Sequence, residues 1–211
     1  MNPVALIWGA AGGIGSALVA HLRSLNWDVL AAGRGVDALE ELTPYCYDAD
    51  VASPFAVQAA VTRMSQEADE VSLFVYACGD ILSQPVADMP QQIWQQILDA
   101  NLTGAFLTTQ HSLPLLAPQA HLFYLGAVHE RLRLPGLSAY AAAKAGLEAF
   151  AEVVRKETRR KVSVVRPAAV ATRFWEKVPF KLPPHHLQSD DIARRILEAY
   201  QEGSQGPLDL S

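Results

Sequence analysis

The sequence predicts an α/β protein built on a single doubly wound parallel β-sheet with helices on both faces. Short apolar segments with strand character alternate with longer segments whose apolar residues recur at helical spacing, along most of the 211-residue chain. That alternation is typical of parallel strands joined by crossover helices. Half of the residues are hydrophobic and 18% are charged, as in globular proteins that bury a core.

The predicted elements follow one another without a composition shift or linker between them. The predicted strands cover residues 4–8, 29–32, 45–47, 71–76, 121–125, 162–165 and 208–210. The predicted helices cover 13–25, 54–68 with Ser53 as N-cap, 91–116, 139–159 and 190–201. Residues 1–211 are therefore expected to form one domain.

Composition argues against several classes of partner. The formal net charge of −5 disfavours nucleic acid or an anionic membrane as partner. The chain has two cysteines, Cys46 and Cys78, which form neither a disulfide framework nor a metal-binding motif. No metal site is therefore expected, and the expected location is a reducing cytoplasm. The uncharged stretch 3–20 holds four glycines and follows no basic residue, which favours a strand, a turn and a helix over a signal peptide or membrane span.

A glycine cluster follows the first predicted strand and opens the first predicted helix. Glycines at such a turn let the backbone approach a pyrophosphate, and the helix N-terminus offers N–H groups and its positive dipole end. The position between strand and helix favours a dinucleotide site of the Rossmann type, with a purely structural turn as the alternative. The residues concerned are Gly9, Gly12, Gly13, Ile14 and Gly15.

Several motifs follow one another along the chain, at Gly9, Gly13 and Gly15, Asp50-Val51, Gly79, Asn101, Tyr140-x-x-x-Lys144, and Pro167 through Thr172. In this order and spacing they make the chain resemble the short-chain dehydrogenase/reductase family. The resemblance implies an oxidoreductase that transfers hydride between a nicotinamide cofactor and a carbonyl or alcohol group of a small molecule. It also implies a homodimer or homotetramer formed through the long helices.

The end of the second predicted strand decides between the two nicotinamide cofactors. NAD-selective dehydrogenases carry an acidic residue there, which binds the ribose hydroxyls. This chain has Gly33 followed by Arg34, and a guanidinium pairs with the 2′-phosphate that a carboxylate would repel. NADP(H) is therefore expected in preference to NAD(H), and a solvated loop arginine is the alternative.

The resemblance implies further cofactor contacts. Asp50 is expected to accept a hydrogen bond from the adenine amino group, with Val51 beside the ring. The family's fourth-strand motif Asn-Asn-Ala-Gly is replaced by Tyr76-Ala77-Cys78-Gly79, so local hydrogen bonds of the two asparagines are lost. The remaining expected contacts on the nicotinamide side are Ala77, Gly79, Tyr140, Lys144, Pro167, Val170 and Thr172.

Tyr140 and Lys144 are expected to be the catalytic pair. They are four residues apart in a predicted helix and therefore lie on one face of it. A nearby ammonium lowers the pKa of a tyrosine, which can then exchange a proton at neutral pH. By resemblance, Lys144 also binds the nicotinamide ribose, and Asn101 kinks the long helix and holds a water molecule against the lysine. A helix-surface asparagine is the alternative for Asn101.

One position departs from the family. Its catalytic serine lies thirteen residues before the tyrosine, where this chain has Ala127. Loss of one such hydrogen-bond donor costs about 10²–10³ in rate elsewhere, so reduced or atypical turnover is expected. Ser138 is expected to be a helix N-cap, and His129 is either a replacement donor or a surface histidine. A catalytically inactive NADP(H)-binding sensor or partner subunit is the rival hypothesis.

Residues 173–187 are expected to form a loop that covers the substrate. Long irregular segments in compact domains are often functional. The identity of the substrate stays open between two alternatives. Aromatic and aliphatic side chains would form an apolar cover, at Phe174, Trp175, Phe180 and Leu182, whereas Lys177, Lys181, Arg131 and Arg133 would serve an anionic group.

Overall fold

A computed structural model describes residues 2–210, except for the side chain of His129. Seven strands form one sheet: β1 Val4–Trp8, β2 Asp28–Gly33, β3 Cys46–Asp48, β4 Val71–Tyr76, β5 Leu116–Leu125, β6 Lys161–Pro167 and β7 Gly206–Leu210. All neighbouring strands pair in parallel, in the order β3-β2-β1-β4-β5-β6-β7. The predicted doubly wound parallel sheet is confirmed.

Helices cover both faces of the sheet, because successive side chains of each strand point to opposite faces. Leu6 and Trp8 of β1 pack into one apolar layer, and Ala5 and Ile7 pack into the other. The first layer includes side chains of α2 Pro54–Met64, α4 Gly104–Ser112 and α5 Ser138–Thr158. The second includes side chains of α1 Gly13–Ser24 and α6 Ser189–Glu202. The remaining helix, α3 Gln91–Leu98, precedes α4 in the chain.

The helical pattern predicted over 91–116, with Gly104 and Pro114 as interruptions, is helical from Gln91 to Leu115, but it is not one continuous α-helix. After α3, residues Asp99–Thr103 form a π-helical turn, and α4 then runs into a short 3₁₀-helix, Leu113–Leu115. Pro114 has no N–H to continue a helix. The chain is extended from Leu116, and Arg160 donates to the carbonyls of Leu116 and Ala117 at 2.9 Å each. These long-range contacts extend β5 by five residues before the predicted start.

The two N-cap predictions had different outcomes. Ser53 caps α2, since its hydroxyl accepts a hydrogen bond from Ala56 N at 3.3 Å. The Ser138 prediction was wrong, because Leu137 is the N-cap of α5 and Ser138 is the first helical residue. The Ser138 hydroxyl is buried and has no hydrogen-bond partner among the described residues.

Among residues 2–210, no helix combines the length and apolar character needed to cross a membrane. In the same part of the chain, no three His, Cys, Asp or Glu side chains are grouped so as to hold a metal ion.

Candidate active site

An open cleft of about 1990 Å³ runs along the carboxyl ends of the strands. The strand order reverses between β1 and β4, and such a point in a parallel sheet is where ligands bind. Of the predicted cofactor residues, Gly15 alone does not line the cleft. Those that line it are Gly9, Gly12, Gly13, Ile14, Arg34, Asp50, Val51, Ala77, Gly79, Tyr140, Lys144, Pro167, Val170 and Thr172.

The glycine turn brings β1 against the end of β4. Gly9 has a φ of +84°, and a Cβ there would lie 2.6 Å from the backbone nitrogen of Cys78. Gly12 N donates to Gly9 O at 3.0 Å, which closes the turn before α1 begins. A Cβ on Gly15 would collide with the Gly9 carbonyl, so Gly15 allows the helix to pack on the turn. The turn thus leaves a backbone cradle at the N-terminus of α1, which suits a phosphate.

Arg34 lies on the cleft directly after β2. Its side chain is exposed, and it makes no hydrogen bond or ion pair with another residue of the described part of the chain. Gly33, with φ of +131°, precedes it. Asp48, at the end of the neighbouring strand, accepts a hydrogen bond from Gly35 N at 3.3 Å. The guanidinium is therefore available to an anion.

Tyr140 and Lys144 face the cleft from α5, and both are almost completely buried. The Lys144 ammonium nitrogen lies 5.6 Å from the centroid of the Tyr140 ring and donates to the carbonyl of Leu125 at 2.7 Å. Burial lowers the pKa of Lys144 to about 8. Burial also raises the pKa of Tyr140, so the expected lowering by Lys144 was wrong: desolvation of the phenolate dominates in this structure.

Asn101 lies in the π-helical turn, fully buried behind Gly79 rather than on a helix surface. Its amide nitrogen donates to the carbonyls of Asp80, at 2.6 Å, and Ile97, at 2.8 Å. Its amide oxygen is buried and accepts no hydrogen bond from the described residues. A Cβ on Gly79 would lie 2.9 Å from that oxygen and 3.7 Å from Lys144 Nζ. Both polar atoms therefore face the space that glycine leaves open.

Ala127 follows β5 and lines the same cleft as Tyr140. It is 8% exposed, and its side chain carries no hydrogen-bonding atom. The preceding Gly126 N donates to Val165 O at 2.8 Å, which fixes this turn to β6. The side chain of His129 lies outside the described residues.

The loop 173–187 leaves and re-enters the fold at one point. Ala171 N donates to Leu187 O at 2.9 Å, and Leu187 N donates to Ala169 O at 2.8 Å. The predicted irregular segment contains a short 3₁₀-helix, Arg173–Lys177. Trp175 Nε1 donates to Val170 O at 2.8 Å. These bonds hold the aromatic part of the loop beside the cleft.

A third apolar cluster surrounds the ring of Tyr140, apart from the two layers that cover the sheet. Ile81 and Leu137 are buried in it, and Leu132, Phe174 and Val178 pack against it. These five side chains also line the cleft. One end of the cleft is therefore apolar where the Tyr140 ring lies.

Asp80 is a site residue that sequence reasoning missed. Its carboxylate oxygens contact Lys177 Nζ at 2.6 Å and Gln96 Nε2 at 2.8 Å. Burial acts to raise the pKa of Asp80, but hydrogen bonds from Lys177 and Gln96 outweigh it and hold the pKa below its usual value. Its position directly after Gly79, in the segment that follows β4, was the signal in the sequence that would have singled it out.

A parallel sheet with this strand order, a glycine turn after β1 and a Tyr/Lys pair in the cleft is the arrangement of a nicotinamide-dependent oxidoreductase. The family model described as short chain dehydrogenase matches residues 3–181. The chain belongs to this family. Membership supports hydride-transfer oxidoreductase activity with a nicotinamide cofactor and a small-molecule substrate.

Individual relatives agree with this assignment. The chain is 28% identical over 205 residues to the uncharacterized oxidoreductase YbbO of Escherichia coli strain K12, covering 93% of this chain and 76% of that protein. It is 24% identical over 225 residues to the sepiapterin reductase of Chlorobaculum tepidum, covering 97% and 92%. A short-chain dehydrogenase/reductase from Serratia marcescens BCRC 10948 superposes with a TM-score of 0.89 at 19% identity, covering 99% and 96% of the two chains. At that identity the structural likeness shows the fold alone.

Proposed function

We propose that the protein is an NADP(H)-dependent reductase of an apolar carbonyl compound, with turnover slowed by Ala127. The observation that supports this most is that the glycine turn, Tyr140 and Lys144 line one cleft. The cofactor fits this chain's residues, because the glycine turn, with Gly9, Gly12 and Gly13, lines the cleft at the N-terminus of α1. When bound, NADPH supplies the hydride.

Tyr140 is the proton donor to the carbonyl oxygen in this proposal. Its phenol is protonated at neutral pH, which is the state that carbonyl reduction needs. Burial raises the pKa of this phenol and makes it a weaker acid, so the neighbouring Lys144 ammonium assists the proton transfer. Lys144 binds the nicotinamide ribose, and its pKa of about 8 lets it pass a proton near neutral pH. Asn101 Oδ1 accepts a hydrogen bond from a water molecule that also contacts Lys144 Nζ.

Arg34 selects NADP(H). An exposed guanidinium that bonds to no other residue in the described part of the chain has no bond there to give up when it pairs with a phosphate. The position before it is glycine, so no carboxylate repels the phosphate or binds the ribose hydroxyls from there. Asp50 and Val51, farther along the same part of the cleft, contact the adenine.

The substrate is apolar next to its carbonyl group. Ile81, Leu137 and Phe174 surround the Tyr140 ring, and burying apolar substrate surface there contributes about 25 cal/mol per Å². Lys177 is already paired with Asp80, so it is not free to bind an anionic substrate. Loop 173–187 covers this end of the cleft. Residues 1–211 form one domain in this proposal.

A homodimer or homotetramer forms through α4 and α5 in this proposal. Phe106 and Val153 expose about half of their side chains on these helices, 43% and 50%. Phe106 contacts Phe150 edge to face, with ring centroids 6.5 Å apart. Light scattering at micromolar concentration tests this, and a strictly monomeric mass contradicts it.

A second candidate function is NADP(H) binding without turnover, as in a sensor or partner subunit. Ala127 favours it, because the cleft then lacks the family's second donor to the substrate oxygen. The deciding experiment combines NADPH oxidation with a panel of aldehydes and ketones and calorimetric titration of NADPH. Turnover that increases with substrate hydrophobicity supports the reductase. Tight NADPH binding with no turnover on any carbonyl supports the binding protein.

A further inference from the structure

Tyr76 joins the sheet to the π-helical turn that carries Asn101. It is the last residue of β4, it is fully buried, and its hydroxyl donates to the carbonyl of Ala100 at 2.9 Å. Ala100 directly precedes Asn101, so this bond holds the peptide group between them. In a π-helical turn the carbonyls are displaced from the α-helical pattern, and a buried carbonyl needs a partner.

Gly104 provides the space for this contact. A Cβ at Gly104 would lie 2.5 Å from the Tyr76 hydroxyl and 2.8 Å from the carbonyl of Asp99. The φ of Gly104 is −63°, which any residue adopts, so glycine is needed here for space and not for backbone conformation. Tyr76 and Gly104 are therefore a complementary pair, one filling the volume that the other leaves.

We propose that Tyr76 is a positioning residue, which fixes Asn101 toward Gly79 and Lys144 through the carbonyl of Ala100. The inference rests on the proposed function, in which Asn101 assists the proton transfer. Tyr76 occupies the position of the first asparagine in the family's fourth-strand motif, so β4 lacks that side-chain amide. The Tyr76 phenol instead gives β4 a hydrogen bond to the π-helical turn. Its hydroxyl touches neither substrate nor cofactor, because Tyr76 does not line the cleft.

Tyr124 provides a matched control for a purely structural role. It lies on the adjacent strand directly beside Tyr76 in register, and it is fully buried in the same apolar layer. Its hydroxyl bonds to Thr109 Oγ1 at 2.8 Å, in the regular helix α4 and away from Asn101. Tyr76→Phe and Tyr124→Phe each remove one buried hydroxyl. Tyr76→Phe removes a contact with the Cys78 side chain as well as the bond to Ala100 O.

The kinetic test compares kcat and the KM values of the two variants. Both are expected to lower the melting temperature by similar amounts. Tyr76→Phe alone is expected to lower kcat, by about tenfold or more, with the KM for NADPH within about twofold of wild type, because misplaced catalytic groups cost rate rather than binding. Equal kcat in Tyr76→Phe and Tyr124→Phe overturns the proposal.

A second measurement does not depend on turnover. The side-chain amide protons of Asn101 are buried and bonded to two carbonyls, so they are expected to exchange slowly with solvent in NMR spectra. Tyr76→Phe is expected to speed this exchange at least tenfold, and Tyr124→Phe is not. If wild type lacks turnover but the exchange changes as expected, the proposed function fails while the positioning of Asn101 by Tyr76 stands. Unchanged exchange in Tyr76→Phe refutes that positioning.

Discussion

Lys177 of loop 173–187 forms an ion pair with the buried Asp80, at 2.6 Å between Nζ and Oδ1. The two residues are 97 positions apart in the chain. Asp80 also accepts the side-chain amide of Asn101 through its backbone carbonyl. The bond that holds the loop therefore ends on the residue that anchors the Asn101 amide.

Lys177→Met is expected to weaken substrate binding. The Asp80 carboxylate stays buried and loses its cation, so the closed loop loses stability. Lys177 is half exposed, and we expect a cost of about 1 kcal/mol, or a roughly fivefold rise in the KM of the carbonyl substrate. Lys181→Met, on an exposed lysine of the same loop, serves as the control. Equal KM values for the two variants would show that the ion pair does not hold the loop closed.

Arg34→Ala is expected to remove the preference for NADPH. We expect wild type to bind NADPH at least tenfold more tightly than NADH, a difference of about 1.4 kcal/mol. Calorimetric titration of both cofactors measures this gap in wild type and in the variant. Arg173→Ala changes another exposed arginine of the cleft and should leave the gap in place. Equal affinity of wild type for both cofactors would contradict the role of Arg34.

Tyr140→Phe is expected to abolish turnover and leave NADPH affinity nearly unchanged, because the hydroxyl serves the proton transfer. Lys144→Ala should lower both, because Lys144 serves the ribose as well as the proton transfer. Steady-state rates and NADPH titrations separate the two effects. Robust turnover in Tyr140→Phe would assign the proton donor elsewhere.

Ala127→Ser is expected to raise carbonyl reduction by up to about 10²-fold, if the new hydroxyl meets the substrate oxygen. Ala127→Gly is the control, because it changes the same position without adding a donor. The comparison uses kcat/KM for one apolar aldehyde in all three proteins. An identical rate in Ala127→Ser and Ala127→Gly would separate this position from the chemistry.

His121 is expected to make stability fall in mild acid. Its Nε2 bonds to Ser163 Oγ at 2.9 Å, and Ser163 donates to Ser204 O at 3.0 Å, so Nε2 carries the proton. Burial, with Lys161 as a lesser cause, lowers the pKa of His121 to about 4. Between the ordinary pKa of 6.5 and about 4, the unfolded chain therefore gains a proton that the folded chain does not.

As the pH falls through that window, the free energy of unfolding decreases by at most about 1.4 kcal/mol per pH unit from this group. Denaturant unfolding at several pH values measures the slope. His121→Gln cannot titrate and is expected to flatten it. The exposed His185→Gln is the control, and an unchanged slope in His121→Gln would place the acid sensitivity elsewhere.

The parts predicted from the sequence are those with local causes. The glycine turn needs only a strand before it and a helix after it, and the Tyr140–Lys144 pair needs only helical spacing. The resemblance predicted a kink at Asn101 but not its π-helical form, because the bond from Tyr76 that holds the turn comes from a strand more than twenty residues away. The ion pair between Lys177 and Asp80 was not predicted either, because the two residues are 97 positions apart in the chain. The pKa of Tyr140 depends on burial by Ile81 and Leu137, which no spacing rule supplies.

Because the two ends of loop 173–187 are hydrogen-bonded to each other, the segment between them can be replaced by another sequence. Its two ends are already joined by hydrogen bonds between Ala171, Leu187 and Ala169, so its length is largely uncoupled from the sheet below. The entropy of closing a loop grows only slowly with its length, by about 0.6 kcal/mol per doubling. In the proposed function this loop covers the substrate, so new segments grafted between these anchors are expected to change substrate choice while the seven strands stay as they are, provided that they keep a cation for Asp80.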